Sequence, residues 1–272
     1  MRARARAGRP TRRRTPVLVV ALCAVSIVFL AVPLVALFVR ASWSTMWQDV
    51  SSPQALVAIR LSLVCSLSAT GLCLVLGVPL AWVLARTQFP GRRLLRALAL
   101  LPLVLPPVVA GVALLTAFGR TNGIVGRPLY EWFGLQFTFT TVGAVLAETF
   151  VALPFLVLTV EAAFRTVDER YEEVAASLGA GTGTTFRRVT LPMIGPGLLA
   201  GATLAWARAL GEFGATITFA GNIQGRTETV PLAVYVALEG HESVAIALSL
   251  ALLFISVVLL VSLRGQWLRG FS

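Results

Sequence analysis

TVDERYEEVAASLGAGTGTTFRRVTLP, residues 166–192, is a polar, charged stretch lying between two long apolar ones. Ordering a connection of this length is entropically costly, so its retention argues for a function. Thr166 followed by Glu169 has the spacing of a capping box, and Asp168, Glu169, Glu172 and Glu173 place negative charge in the first turns of a helix. Gly179 stands where that helix should stop. Tyr171, Val174, Ala175 and Leu178 fall at i, i+3, i+4 and i+7 and make one apolar face, opposite Glu169, Glu172, Glu173 and Ala176. A short two-faced helix in water must bury its apolar side. Two arrangements do so: packing on the protein's own helix ends or the lipid interface, or insertion into a groove on a partner.

The rest of the chain is far more apolar. Of 272 residues, 57% are hydrophobic and 13% charged, with mean hydropathy +0.84. Soluble domains carry roughly twice that charged fraction. Lipid must therefore be part of the solvent. Six stretches are long enough to cross about 30 Å of hydrocarbon, at residues 17–39, 56–85, 98–118, 140–164, 194–220 and 244–263. Lipid cannot satisfy free backbone groups, so such stretches must be helical, and the expected class is an all-α integral membrane protein with about six spans. The net charge of +11 does not point to nucleic acid: every base is Arg, most flank apolar runs, and no basic stretch is interleaved with aromatics. Cys23, Cys65 and Cys73 lie within apolar spans and read as packing residues.

Arginine asymmetry sets the orientation. One side would hold the basic arm at residues 1–16, Arg86, Arg92, Arg93 and Arg96, then Arg165, Arg170, Arg187 and Arg188, and a tail at 265–272. The other keeps Arg40, Arg120, Arg127 and Arg226. Both termini and the 166–192 stretch are thus expected in the cytoplasm. The first span, 17–39, is too long for an ordinary cleaved signal and reads as a retained signal anchor, with cleavage near Ala41 as the other option.

Within the spans, Pro102, Pro106 and Pro107 should bend the third, either for packing or to shape a path. Gly197 and Gly201 form GxxxG and read as close helix packing. Arg208 precedes Glu212 by one helical turn, so the two can pair as a structural element or stand in a gate or cavity wall. Glu148 and Glu161 are expected to be paired or near an interface.

The spacing in 166–192 resembles the cytoplasmic coupling loop, the EAA loop, of bacterial ABC-importer permeases. That pattern is Glu-Ala-Ala, a Gly six residues after the Glu, an aliphatic residue ten later, then Leu-Pro. Glu173, Ala175, Gly179, Val189, Leu191 and Pro192 match it, and Val174 replaces the first Ala. The segment ARALGEFGATITFAGNIQGRTETVPLAVY, 207–235, and LPLVLPPVVAG in the third span are similar to the molybdate and sulfate permease subfamily, most of all to molybdate permeases. The resemblance covers most of the chain after about Leu61. It implies the type I importer permease fold over residues 56–264, in a bacterial cell membrane, and a homodimer forming the pathway. It further implies two copies of a separate ATPase on the coupling loops and an extracytoplasmic molybdate-binding protein. Sulfate or tungstate is the alternative cargo.

The chain has no GxxxxGK[ST] motif, so ATP and Mg would be used by the partner, with no cofactor held here. A bare dianion in hydrocarbon would cost tens of kcal/mol, so it needs a polar path. Thr203, Thr216, Thr218 and Asn222, with Arg208 and Glu212, are the candidates to line or gate it. The outer segment 224–242, with Arg226, Glu228, Glu239, His241 and Glu242, either meets the binding protein or is solvated surface. A membrane-embedded enzyme would need a Ser/His, paired Asp or His/Glu cluster at membrane depth. The scattered Glu148, Glu161, Arg208 and Glu212 do not supply one.

Overall fold

The computed structural model describes residues 16–267, predominantly helical with no strand among them. The expected basic arm, apart from Pro16, and most of the expected tail lie outside the described residues. The chain divides into two compact units, residues 1–41 and 42–272. The first contributes α1 (Val17–Arg40), in which no residue is buried. A helix apolar all round that buries nothing in protein is suited to lipid.

The second unit contains α2 (Met46–Val50), α3 (Pro53–Arg86), α4 (Arg92–Val104), α5 (Pro107–Phe118), α6 (Gly126–Phe133) and α7 (Thr141–Thr166). These are followed by α8 (Arg170–Ser177), α9 (Thr182–Thr185), a π-helical turn (Phe186–Thr190), α10 (Leu191–Leu210), α11 (Gly214–Phe219), α12 (Val230–Ala237) and α13 (Glu242–Trp267). Among the described residues four helical stretches are long and apolar enough to cross a membrane unbroken: Val17–Arg40, Pro53–Arg86, Thr141–Thr166 and Thr182–Leu210.

The expected third and fifth spans are corrected by this architecture: each is two helices. Pro106 and Pro107 lack the N–H groups that would continue α4, and Pro106 drives Leu105 to an extended ψ of 133°. The 12-residue α5 that follows covers only about 18 Å, too short to span alone. The expected 194–220 span breaks at Gly211–Phe213. The two breaks meet: a Cβ on Gly214 would lie 2.8 Å from Pro107 Cβ, and one on Gly111 would lie 2.6 Å from Thr218 Cβ. Broken helices are tolerated at membrane depth where neighbouring protein covers them.

The core is the packing of α3, α7 and α10. Ser52 caps α3 by accepting from the Ala55 N–H (3.3 Å), and Pro53 opens its first turn. The buried side of α3 is a stripe of small residues: Ala55, Ala58 and Ser62 meet α12 and α13, and Cys65, Ala69, Cys73, Gly77 and Ala81 let α7 approach closely. At Gly77 an added Cβ would sit 2.5 Å from Leu156. The GxxxG pair does what its pattern predicts: Gly197 faces Ala163 and Gly201 faces Val160. Leu84, Leu156, Val157, Val160, Phe164 and Ile194 fill the space between. Cys65 and Cys73 are buried thiols within this packing and Cys23 is exposed on α1.

Candidate functional site

The 166–192 stretch is ordered as α8, α9 and the π-helical turn, and it runs without a break into α10. The expected capping box does not form. Thr166 is the last residue of α7 and its hydroxyl donates to the Ala163 carbonyl (2.8 Å), while Glu169 is drawn to Arg86 (2.9 Å). Asp168 supplies the N-terminal acceptor instead, taking the Arg170 N–H at 3.0 Å. The stop is as expected. Gly179 takes φ +84°, its N–H donates to Ala176 O (3.0 Å), and the Ala180 N–H donates to Ala175 O (3.0 Å). That is a Schellman closure, which needs a left-handed residue at the glycine.

The apolar face of α8 is open. Tyr171, Val174 and Leu178 are 57%, 58% and 83% exposed, with Ala175 half-buried between them. The reading in which this face packs on the protein's own helix ends is not what the fold adopts. The opposite face is tied down. Glu172 accepts from the Thr190 hydroxyl at 2.9 Å, and Arg86 lies 3.6 Å from the same carboxylate. Arg86 Nη1 donates to Glu169 (2.9 Å) and Nη2 to the Val167 carbonyl (3.0 Å), with its side chain 8% exposed. One buried guanidinium at the end of α3 therefore fixes both entry and pitch of α8. Glu173 points to solvent, Val189 and Leu191 are half-buried, and Pro192 is exposed in the first turn of α10.

Sequence reasoning used Arg86 only for orientation. Its role depends on partners more than 80 residues away, for which no local spacing exists. Thr190 was missed for the same reason. The acidic run 168–173 was the available signal, since it needs cationic company.

The candidate path residues do not converge within one chain. The hydroxyls of Thr203 and Thr218 donate to carbonyls of their own helix turns, Leu199 and Gly214, both at 2.8 Å. Thr216 is fully buried and its hydroxyl has no partner among the described residues. Asn222 is exposed beyond α11. Arg208 and Glu212 do meet, at 2.6 Å, with Glu212 1% exposed. The second Glu212 oxygen accepts the Ala215 N–H (2.8 Å) and so caps the start of α11. The pair thus bridges the helix break. Glu161 is paired with Arg96 and, at 2.9 Å, with Arg165. Glu148 is buried, and its Oε2 has no hydrogen-bond partner among the described residues.

At the other end of the molecule a polar cavity of about 1020 Å³ is lined by Arg120, Asn122, Arg127, Tyr130, Glu131 and Gln136, among others. Arg120 stacks over Tyr130, 4.1 Å from the ring centroid, and Arg127 pairs with Glu131 at 2.8 Å. The outer segment 224–242 is not a plain loop. It folds α12 against α3 and α13, with the Val230 N–H donating to Ser62 (2.7 Å).

Residues 77–269 match the family described as binding-protein-dependent transport system inner membrane component. The molybdenum transport system permease protein ModB of Mycobacterium bovis is 49% identical over 240 residues, covering 88% of this chain and 90% of that one. The sulfate transport system permease protein CysT of Salmonella typhimurium is 40% identical over 236 residues, covering 83% and 84%. Among solved structures, a bacterial alginate ABC transporter in complex with alginate pentasaccharide-bound periplasmic protein superposes with TM-score 0.69 at 20% identity, over 92% of this chain and 91% of that one. At that identity the likeness speaks for the fold.

Proposed function

This chain belongs to the family of binding-protein-dependent transport system inner membrane components, and on that premise we propose that it is the permease subunit of an ATP-driven molybdate importer. The observation that carries the mechanism is the exposed Tyr171–Val174–Leu178 face on a helix braced from behind by Arg86. A solvent-facing apolar knob on a rigid mount is suited to a groove on a partner, which we take to be a separate ATPase using ATP and Mg, two copies for a homodimer of this chain. Motion of that partner would pass through Arg86 and Thr190 into α3 and α10, the helices packed on α7. Both termini and α8 then lie in the cytoplasm.

The cavity around Arg120 and Arg127, together with the outer segment bearing Arg226, Glu228, Glu239 and His241, faces the opposite side. It is where an extracytoplasmic molybdate-binding protein would dock. The cargo path would form between two copies, near the paired breaks held by Arg208 and Glu212, and α11, which carries Thr216 and Thr218, is its candidate wall. Identity favours molybdate over sulfate, 49% against 40%. Tungstate shares the tetrahedral dianion chemistry and is the remaining cargo alternative.

Uptake of labelled molybdate against excess sulfate, in cells holding this chain with its ATPase and binding protein, tests the reading. Molybdate accumulation that resists sulfate supports it; accumulation abolished by equimolar sulfate would assign the chain to sulfate.

A further inference from the structure

The 87–91 turn and the first turns of α4 enclose a cavity of about 750 Å³, open beside the end of α7. Gln88, Arg92, Arg93, Arg96 and Arg165 line it. Among the described residues, four guanidinium groups here answer to a single carboxylate, Glu161, which is 5% exposed and lies behind Arg96 and Arg165. Arg92 spends Nε and Nη2 on the Leu84 carbonyl, a neutral partner that leaves its charge uncompensated. Arg93 has no acid or carbonyl partner among the described residues, and Arg96 Nε has no acceptor. Burial, and then the charges of Arg165 and Arg92, hold the Arg96 guanidinium below the ordinary arginine value. The cavity therefore has the electrostatics of an anion site.

Apolar surface adjoins it. Leu100 lines it, and Leu103 and Val104, one turn further along the same side of α4, are 45% and 80% exposed, with Phe89 exposed at the rim as well. A tetrahedral oxyanion suits the arginine forks. An exposed apolar strip leading away from them, Leu100 to Leu103 and Val104, suits acyl chains. Placement at the junction of a span with the arginine-rich side of the membrane suits a headgroup. From these we infer that the cavity binds the phosphate of an anionic phospholipid, with Arg93 as the uncommitted fork and Arg92, Arg96 and Arg165 supplying the field. The membrane side rests on the orientation adopted above; the arginine cluster and apolar strip do not.

The test is native mass spectrometry of the assembled transporter, purified in detergent and titrated with phosphatidylglycerol or with zwitterionic phosphatidylcholine. Phosphatidylglycerol should be retained in preference, and Arg93→Ala should weaken retention about tenfold, the size of one charge-assisted hydrogen bond. Arg93→Lys should recover part of it, and Arg60→Ala, an exposed arginine on α3 outside the cavity, should change nothing. Arg165→Gln serves as the second cavity variant should Arg93→Ala not assemble. Equal retention by wild type and both cavity variants would overturn the site. Displacement of the lipid by millimolar inorganic phosphate or molybdate would reassign it to a soluble oxyanion and overturn the lipid. Retention by a complex that imports no molybdate would uphold the site while removing the transport reading.

Discussion

At the scale of single residues, Arg86 bears the heaviest demand. It holds Glu169, Glu172 and the Val167 carbonyl from a nearly buried position. Removing a buried charged partner typically costs 3–5 kcal/mol, and hydrogen bonds to charged groups about 1.5–3. Arg86→Ala should thus leave the transmembrane core folded but free α8 to sway. Molybdate uptake should fall about tenfold or more at unchanged membrane abundance by immunoblot; full uptake would make the brace dispensable. Glu212 offers a second contrast. Glu212→Gln keeps an oxygen for the Ala215 N–H and loses only the charge pairing with Arg208, whereas Glu212→Ala loses both. Detergent thermal melts should show the alanine variant destabilised by roughly 3–5 kcal/mol and the glutamine variant by less.

Glu228 adds a pH signature to the same scale. Burial raises its carboxyl above the ordinary 4.5, so its ionised form is disfavoured in the fold. A group with a raised folded value stabilises relative to neutral pH when protonated, and that contribution is lost as pH rises through the folded value. Glu228→Gln should therefore raise the melting temperature at pH 7. Its advantage should shrink to nothing as pH falls below 4.5. An advantage that persists undiminished in acid would remove burial of the charge as the cause.

At the scale of elements, closures and breaks decide the geometry. Gly179 at φ +84° ends α8, and a residue with a Cβ there pays about 1–2 kcal/mol in the left-handed region. A β-branched side chain pays more and would re-aim the chain leading to the π-helical turn. Gly179→Val should depress uptake while leaving the α3–α7–α10 core intact, which limited proteolysis and uptake together would check. Normal uptake in that variant would count against a rigid coupling helix. The same scale explains what the sequence could and could not say. Helical spans, the apolar face of α8, the Gly179 stop and the Gly197–Gly201 contact rest on local periodicity and sterics, so they were legible. The capping box failed because α7 runs on through Thr166 and Arg86 takes Glu169 away, a long-range competition that no spacing records. The breaks at Leu105–Pro106 and Gly211–Phe213 were readable as proline and glycine but not as breaks, because apolar composition continues across both. Their pairing, Pro107 on Gly214 and Gly111 on Thr218, exists only in three dimensions.

At the scale of the whole molecule, the proposed role would have the chain address its partners by two separate regions. One carries α8 with its open apolar knob; the other carries the polar cavity around Arg120 and Arg127. The central claim is that α8 is the handle by which an ATPase moves α3, α7 and α10. Site-directed crosslinking measures it most directly. Cysteine placed at Leu178, or at Ala175, in membranes containing the full transporter should capture the ATPase subunit, with a yield that changes between nucleotide-free and ATP-bound states. Membranes that import molybdate at the normal rate while neither position ever captures an ATPase subunit would contradict the account.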